Sequence, residues 1–127
     1  MINISDSEKK WIALEDSRLV ELILRSVGDE DKKEIINVVM NQPYTIADIV
    51  EISKIPHTSG YRKVKSLIDE GILIPREYVT AHDGKRIAKY QAVFETILIA
   101  LEKNKVVLCI LASQEFIKQS PAFQNHK

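Results

Sequence analysis

The sequence predicts an α+β fold in which about four helices precede two β-hairpins. In the first half of the chain, apolar residues recur at helical spacing, as at Leu19 and Ile23 and again at Ile35 and Val39. After residue 71 the apolar residues follow a period of two, which is typical of strands. With 127 residues, 45% of them hydrophobic, the chain is long enough to bury one core.

Short polar residues and glycines predict where the helices begin and end. Asp16, Asp29 and Thr45 stand where a side-chain oxygen would accept a hydrogen bond from the first turn of the first, second and third helices. Gly28 and Gly71 are expected to close the first and fourth helices as C-caps.

The order of the elements after residue 45 predicts a winged helix-turn-helix. A short third helix, a tight turn at residues 53–56 and a fourth helix at about 57–70 are followed by a hairpin with its turn at 81–84. Such a unit places its second helix in the major groove of DNA. The basic hairpin would reach phosphates or the minor groove. An additional C-terminal β-hairpin is predicted at residues 96–112.

These elements divide the chain into three parts. We expect an N-terminal arm at residues 1–15, a winged helix-turn-helix DNA-binding domain at 16–94, and a C-terminal β-hairpin and tail at 95–127. The last part is the predicted dimerisation element.

The net charge is zero, but the charges are unevenly distributed along the chain. Residues 1–51 carry 11 acids and 6 bases, whereas residues 52–94 carry 8 bases and 4 acids. The basic segment coincides with the helix-turn-helix and the hairpin, which favours a polyanionic partner on that side. Chance clustering of solvated charges explains the charge pattern equally well when it is taken alone.

Helical periodicity divides the fourth helix into two sides. Gly60, Val64, Leu67 and Ile68 are expected to pack on the other helices, with Gly60 permitting a close approach to the third. The opposite side carries hydroxyls, an imidazole, a phenol and cations without a carboxylate, which suits DNA. We predict DNA contacts from His57, Thr58, Ser59, Tyr61, Arg62 and Lys65 in this helix, and from Lys85, Arg86 and Lys89 in the hairpin. The alternative is a basic helix surface and a solvated hairpin tip.

No motif for catalysis, a cofactor, a small-molecule ligand or a metal stands out, so we expect a protein that is not an enzyme. His57, His82 and His126 belong to different elements, and Cys109 is the single cysteine, so paired metal ligands are missing. Cys109 lies among apolar residues and is expected to be a buried structural residue. With neither a signal peptide nor an apolar run of about 20 residues, the protein is expected in the cytoplasm.

The last hairpin is apolar on both faces, which predicts two separate coverings. A strand buried on one face alternates apolar with polar residues, but both alternating sets are apolar along most of residues 96–112. The DNA-binding domain would cover one face and a second subunit the other. We therefore predict a homodimer, which also suits two DNA half-sites. The alternative is that residues 11–27 and the tail cover both faces within one chain.

Several short motifs carry a resemblance to a known family. Residues 26–36 (SVGDEDKKEII) form a glycine-aspartate turn that opens a helix, and residues 45–49 (TIADI) a first motif helix. Residues 55–73 (IPHTSGYRKVKSLIDEGIL) look like a recognition helix followed by the start of a strand. GKR at 84–86 and KY at 89–90 look like a wing. In this order the motifs resemble arsenic-repressor-like (ArsR-like) winged helix-turn-helix regulators, especially archaeal ones, over a little over half the chain. The resemblance implies DNA binding, transcriptional control and dimerisation, but not metal sensing.

Two other functions stay open at this point. A winged helix can bind protein as a subunit of a larger assembly without reading DNA. The cations Arg62, Lys63, Lys65, Lys85 and Arg86 favour DNA over that alternative. A ligand- or thiol-responsive regulator would need a pocket near the last hairpin.

Overall fold

The structure, a computed structural model, describes residues 9–124, which form six helices and five strands. In chain order these are β1 (Lys9–Leu14), α1 (Ser17–Gly28), α2 (Glu30–Val38), α3 (Ile46–Ser53), α4 (His57–Asp69), β2 (Leu73–Thr80), β3 (Arg86–Ala92), β4 (Thr96–Glu102), β5 (Lys105–Ser113), α5 (Gln114–Gln119) and α6 (Pro121–Gln124). The expected α+β class is confirmed. Residues 1–8 of the predicted arm and 125–127 of the tail, with His126, lie outside the described residues.

Side-chain caps begin the first three helices as predicted. Asp16, Asp29 and Thr45 each accept a hydrogen bond from a backbone N–H in the first turn of α1, α2 and α3, at 2.9 to 3.2 Å. Gly71 follows α4 in the left-handed region (φ +82°), also as predicted. The expectation for Gly28 is wrong. Gly28 is the last helical residue, and the cap is Asp29, whose extended backbone also begins α2.

The first sheet is the hairpin of β2 and β3. The two strands pair antiparallel from end to end, with an irregularity after Pro75. Tyr44, between α2 and α3, adds an isolated bridge to Tyr90 of β3, with reciprocal backbone hydrogen bonds of 2.7 and 3.0 Å. The bridge holds the segment before α3 against the hairpin.

The second sheet has the strand order β1-β5-β4, with both pairs antiparallel. The predicted last hairpin is confirmed, and its two-residue turn, Lys103 and Asn104, has positive φ angles of 52° and 65°. The first strand is a finding beyond the sequence analysis. Residues 9–14 of the predicted arm pair with β5, with Lys9 opposite Ser113.

One apolar core joins the helices to the three-stranded sheet. Ile23 of α1, Leu67 of α4 and Ile110 of β5 are fully buried in it, together with Phe94 in the connection between the two sheets. The C-terminal hairpin therefore packs on the same core as the helices. Within residues 9–124, no helix combines the length and apolar character needed to cross a bilayer.

Candidate nucleic-acid interface

Close packing on α3 sets the position of α4. Lys54 adopts the left-handed conformation (φ 59°) and turns the chain, and Ile55 is buried behind the turn. A Cβ added at Gly60 would lie 2.9 Å from Cγ1 of Val50 on α3, which is closer than real Cβ contacts. The predicted close approach at Gly60 is therefore confirmed.

The predicted division of α4 into an inner and an outer side is confirmed. Gly60, Val64 and Leu67 are buried and Ile68 is half-buried. The outer side comprises five exposed residues: His57, Thr58, Tyr61, Arg62 and Lys65. The sixth predicted residue, Ser59, is half-buried, and its hydroxyl donates to the carbonyl of Pro56 at 3.3 Å.

Two cations on the outer side of α4 have no counter-charge among the residues that the structure describes. Neither Arg62 nor Lys65 forms an ion pair or a side-chain hydrogen bond within residues 9–124. Asp69 lies one turn after Lys65, and the helix holds no carboxylate before it. The charges of Arg62 and Lys65 are thus available to an external anion.

Lys63, a third cation of α4, points to a different place. Its Nζ lies 3.1 Å from Asp29 Oδ1 and 3.1 Å from Asp31 Oδ2 at the start of α2. Hydrogen bonds to Asp31 and then Asp29 raise the pKa of Lys63. The expectation that Lys63 favours DNA is therefore wrong, because Asp29 and Asp31 neutralise its charge. These ion pairs connect α4 to α2.

The ion pair predicts a pH-dependent effect of Asp29→Asn on stability. The N–H of Lys32 is the main cause that lowers the pKa of Asp29, and Lys63 adds to it. A lowered carboxyl pKa contributes stability above the ordinary value of 3.8, and this contribution is lost as the pH falls through the folded value. Asparagine keeps the cap oxygen. We expect the variant to be less stable at pH 7, and we expect the loss to be small because solvent screens this partly exposed pair.

Thermal unfolding followed by circular dichroism at pH 7 and near pH 2.5 checks this expectation. The difference between wild type and Asp29→Asn should shrink at the lower pH. Asp69→Asn is the matched control, because Asp69 is exposed and makes no ion pair in the described part of the chain. An equal loss at both pH values for Asp29→Asn would contradict the ionic role.

The hairpin of β2 and β3 brings two of its three predicted cations to its tip. Lys85 is exposed beside Gly84 (φ +86°), and the guanidinium of Arg86 lies 4.3 Å from the ring centre of Tyr78. The third cation, Lys89, is half-buried on the other face of the hairpin, opposite Glu77. It does not join the tip.

Tyr78 is an addition that the sequence analysis missed. It is 52% exposed, and its ring holds the guanidinium of Arg86 at the surface. Tyr78 pairs with Ala88 and therefore lies diagonally across the hairpin from Arg86. Aligning the two predicted strands would have revealed this contact.

Comparison with protein-family models, curated proteins and solved structures gave no match to this chain.

Within residues 9–124, no three His, Cys, Asp or Glu side chains lie close enough together to hold a metal ion. His57 and His82 are exposed on separate elements. The expectation that Cys109 is buried is wrong. Cys109 is half-buried, because its side chain lies on the face of β5 that turns away from the core, between Ala13 and Leu98.

A cleft of about 540 Å³ lies between the two sheets. Gln91, Glu95 and Phe116 contribute to its wall, and the guanidinium of Arg76 stacks 4.3 Å from the ring centre of Phe116. Ala112 and Ser113 of β5 also line the cleft, so it adjoins the last hairpin, where a ligand-responsive regulator would need a pocket. The cleft is separate from the outer side of α4.

Proposed function

We propose that residues 16–94 form a winged helix-turn-helix DNA-binding domain and that the chain is a cytoplasmic, sequence-specific regulator of transcription. It binds double-stranded DNA as a homodimer, with α4 in the major groove and the β2–β3 hairpin on the backbone or the minor groove. The observation that carries the proposal is the outer side of α4. There Arg62 and Lys65 are exposed without an ion pair in the described part of the chain.

The order of elements supports the fold part of this proposal. Tyr44 serves as a short first strand, α3 and α4 form the helix-turn-helix, and β2 and β3 form the wing. Membership of the arsenic-repressor-like superfamily is part of the proposal and rests on the sequence motifs.

The start of α4 adds donors to the cations. Its N-cap position is Pro56, which provides no side-chain cap. The backbone N–H groups of the first turn are therefore available, and the helix dipole places positive potential there. A DNA phosphate satisfies both features. Arg62, one turn further on, has the planar guanidinium that binds guanine or a phosphate through two hydrogen bonds.

A titration of duplex DNA against salt tests the proposal. The logarithm of the affinity should fall linearly with the logarithm of salt concentration, with a slope of about −0.9 for each phosphate neutralised. Lys85→Ala at the wing tip removes one cation per subunit. It should make the slope of a dimer shallower by roughly 2, with equal weakening on all duplexes, because a lysine on phosphate carries no sequence information.

Arg25→Ala is the control, since Arg25 is exposed on α1 and pairs with Glu21 in its own helix. Its slope should equal that of wild type. A chain that binds no duplex at low salt would favour the alternative function, a winged helix that acts as a protein-binding subunit.

A further inference from the structure

The edge strand β4 lacks the protection that sheet edges normally carry. It has a hydrogen-bonded neighbour, β5, on one side, and within residues 9–124 no strand pairs with its other side. Exposed edges are usually blocked by lysine, proline, bulges or inward charges, because an open row of N–H and C=O groups recruits further strands. Residues 96–101 (TILIAL) contain none of these, and their pairing with β5 is regular.

The turn of the hairpin determines which backbone groups face the open side. In a two-residue hairpin the flanking residues, here Glu102 and Lys105, form a hydrogen-bonded pair, and such pairs then alternate along the strands. The N–H and C=O groups of Ile97, Ile99 and Leu101 therefore point away from β5. Within the described part of the chain, no strand pairs with the donors and acceptors that these three residues present in a row.

The side chains of the same three residues lie on the helix side of the sheet and extend beyond the core. Ile97 is half-buried, Ile99 is 48% exposed and Leu101 is 75% exposed. Beside them runs a groove of about 460 Å³ between β4 and the helices, lined by Val27, Ile36, Met40, Ile97 and Ile99 among others. The open edge thus adjoins an apolar groove.

We propose that the occupant of this edge is a second copy of the chain, with β4 pairing antiparallel to β4 of the partner around a two-fold axis at Ile99. The proposal rests on the homodimer of the proposed function. It places the interface at the edge of the sheet, and not on the outer face that the sequence pattern assigned to a second subunit. With the axis at Ile99, all seven residues of β4 pair with β4 of the partner. The two three-stranded sheets then join into a single sheet of six strands. The partner's Leu101 lies opposite Ile97, next to the groove.

Charge favours this register. In it, Glu102 lies opposite the partner's Thr96, an uncharged residue whose hydroxyl can donate a hydrogen bond to the carboxylate. The two-fold axis repeats this pairing at the other end of the strands. Glu95, just before β4, already pairs with Lys9 of its own chain. The Glu102 side chains stay apart, whereas pairing centred on Leu101 would bring them close together.

Disulfide cross-linking tests the register. In a Cys109→Ala background, which removes the native thiol opposite Leu98, Ile99→Cys is expected to form a covalent dimer under mild oxidation. A hydrogen-bonded antiparallel pair places its Cα atoms about 5.5 Å apart, which a disulfide spans. Leu101→Cys is the matched control. It is more exposed than Ile99, but its Cα would lie roughly 14 Å from the partner's Leu101, so it should cross-link at least tenfold more slowly.

Sedimentation equilibrium of two further variants tests the choice of surface. Ile99→Lys is expected to be a folded monomer, whereas Trp11→Lys, on the outer face of the same sheet, is expected to remain a dimer. A wild-type monomer at micromolar concentration, a dimer whose Ile99→Cys variant fails to cross-link, or a dimer broken only by Trp11→Lys would overturn the proposal.

The two proposals fail in different ways. A cross-linked Ile99→Cys dimer that binds no duplex at low salt would overturn DNA binding and leave the interface in place. A monomer that binds duplex through Arg62 would overturn the interface and leave the function of α4 in place.

Discussion

Reversing the charge of Arg62 and Lys65 together should reduce duplex affinity by at least about 100-fold without unfolding the protein. A cation that contacts a base edge or phosphate contributes roughly 1–3 kcal/mol, and glutamate replaces this attraction by repulsion. Two such positions in each subunit exceed the 2.7 kcal/mol that a 100-fold change represents. Both residues are exposed and unpaired within the described chain, so the free energy of unfolding should change by about 0.5 kcal/mol or less.

The matched control is Arg25→Glu with Lys118→Glu, which alters net charge equally at exposed positions on α1 and α5. Fluorescence anisotropy with a labelled duplex at fixed salt measures both variants. If the control loses as much affinity as the α4 variant, the effect is one of net charge and not of the outer side of α4. If the α4 variant keeps its affinity, the assignment of the recognition helix is wrong.

Arg62→Lys separates base recognition from phosphate binding. Lysine keeps the charge but loses the planar pair of donors. We expect affinity for unrelated duplexes to change little, whereas the preference for the best site should weaken. Equal weakening on all duplexes would place Arg62 on the DNA backbone.

Local chemistry made much of the fold predictable. The caps at Asp16, Asp29 and Thr45 depend on residues within one turn, and all three are present. Gly28 shows the limit of this approach. Glycine after an apolar helix usually marks a left-handed cap, but Asp29 must be extended to cap α2, and the same conformation ends α1. The C-cap signal of Gly28 and the N-cap signal of Asp29 are adjacent in the sequence, and the N-cap of α2 determines the backbone conformation.

The features that were missed depend on pairs distant in sequence. β1 is six residues long and finds its partner about 100 residues later, so its own pattern leaves its type undecided. Lys63 is indistinguishable from Arg62 and Lys65 by charge, and the approach of α2 selects it for Asp29 and Asp31. The outer side of α4 was predictable because helical periodicity alone separates it from the core. The ion pairs that engage Lys63 but, within residues 9–124, neither Arg62 nor Lys65 could not be predicted in this way.

Enlarging Gly60 should disturb both stability and DNA binding, because this residue sets the distance between α3 and α4. In Gly60→Leu the first added carbon would already lie 2.9 Å from Cγ1 of Val50, a side chain that is only 1% exposed. Overpacking costs about 1–3 kcal/mol. The gain in helix propensity offsets about 1 kcal/mol of this. With four added carbons we expect the upper end of the cost and a net loss of about 2 kcal/mol.

A double-mutant cycle of Gly60→Ala and Val50→Ala identifies the contact as the cause. Val50→Ala removes the Cγ atoms that a Cβ at position 60 would meet, so the two changes together should cost less than the sum of the single ones, with a coupling of 0.5 kcal/mol or more. Urea unfolding measures the stabilities, and duplex titration should show affinity recovering in the double variant, because α4 returns towards its original position. Additivity within about 0.3 kcal/mol would show that the two helices do not meet at this point, and the orientation of Arg62 and Lys65 would then need another origin.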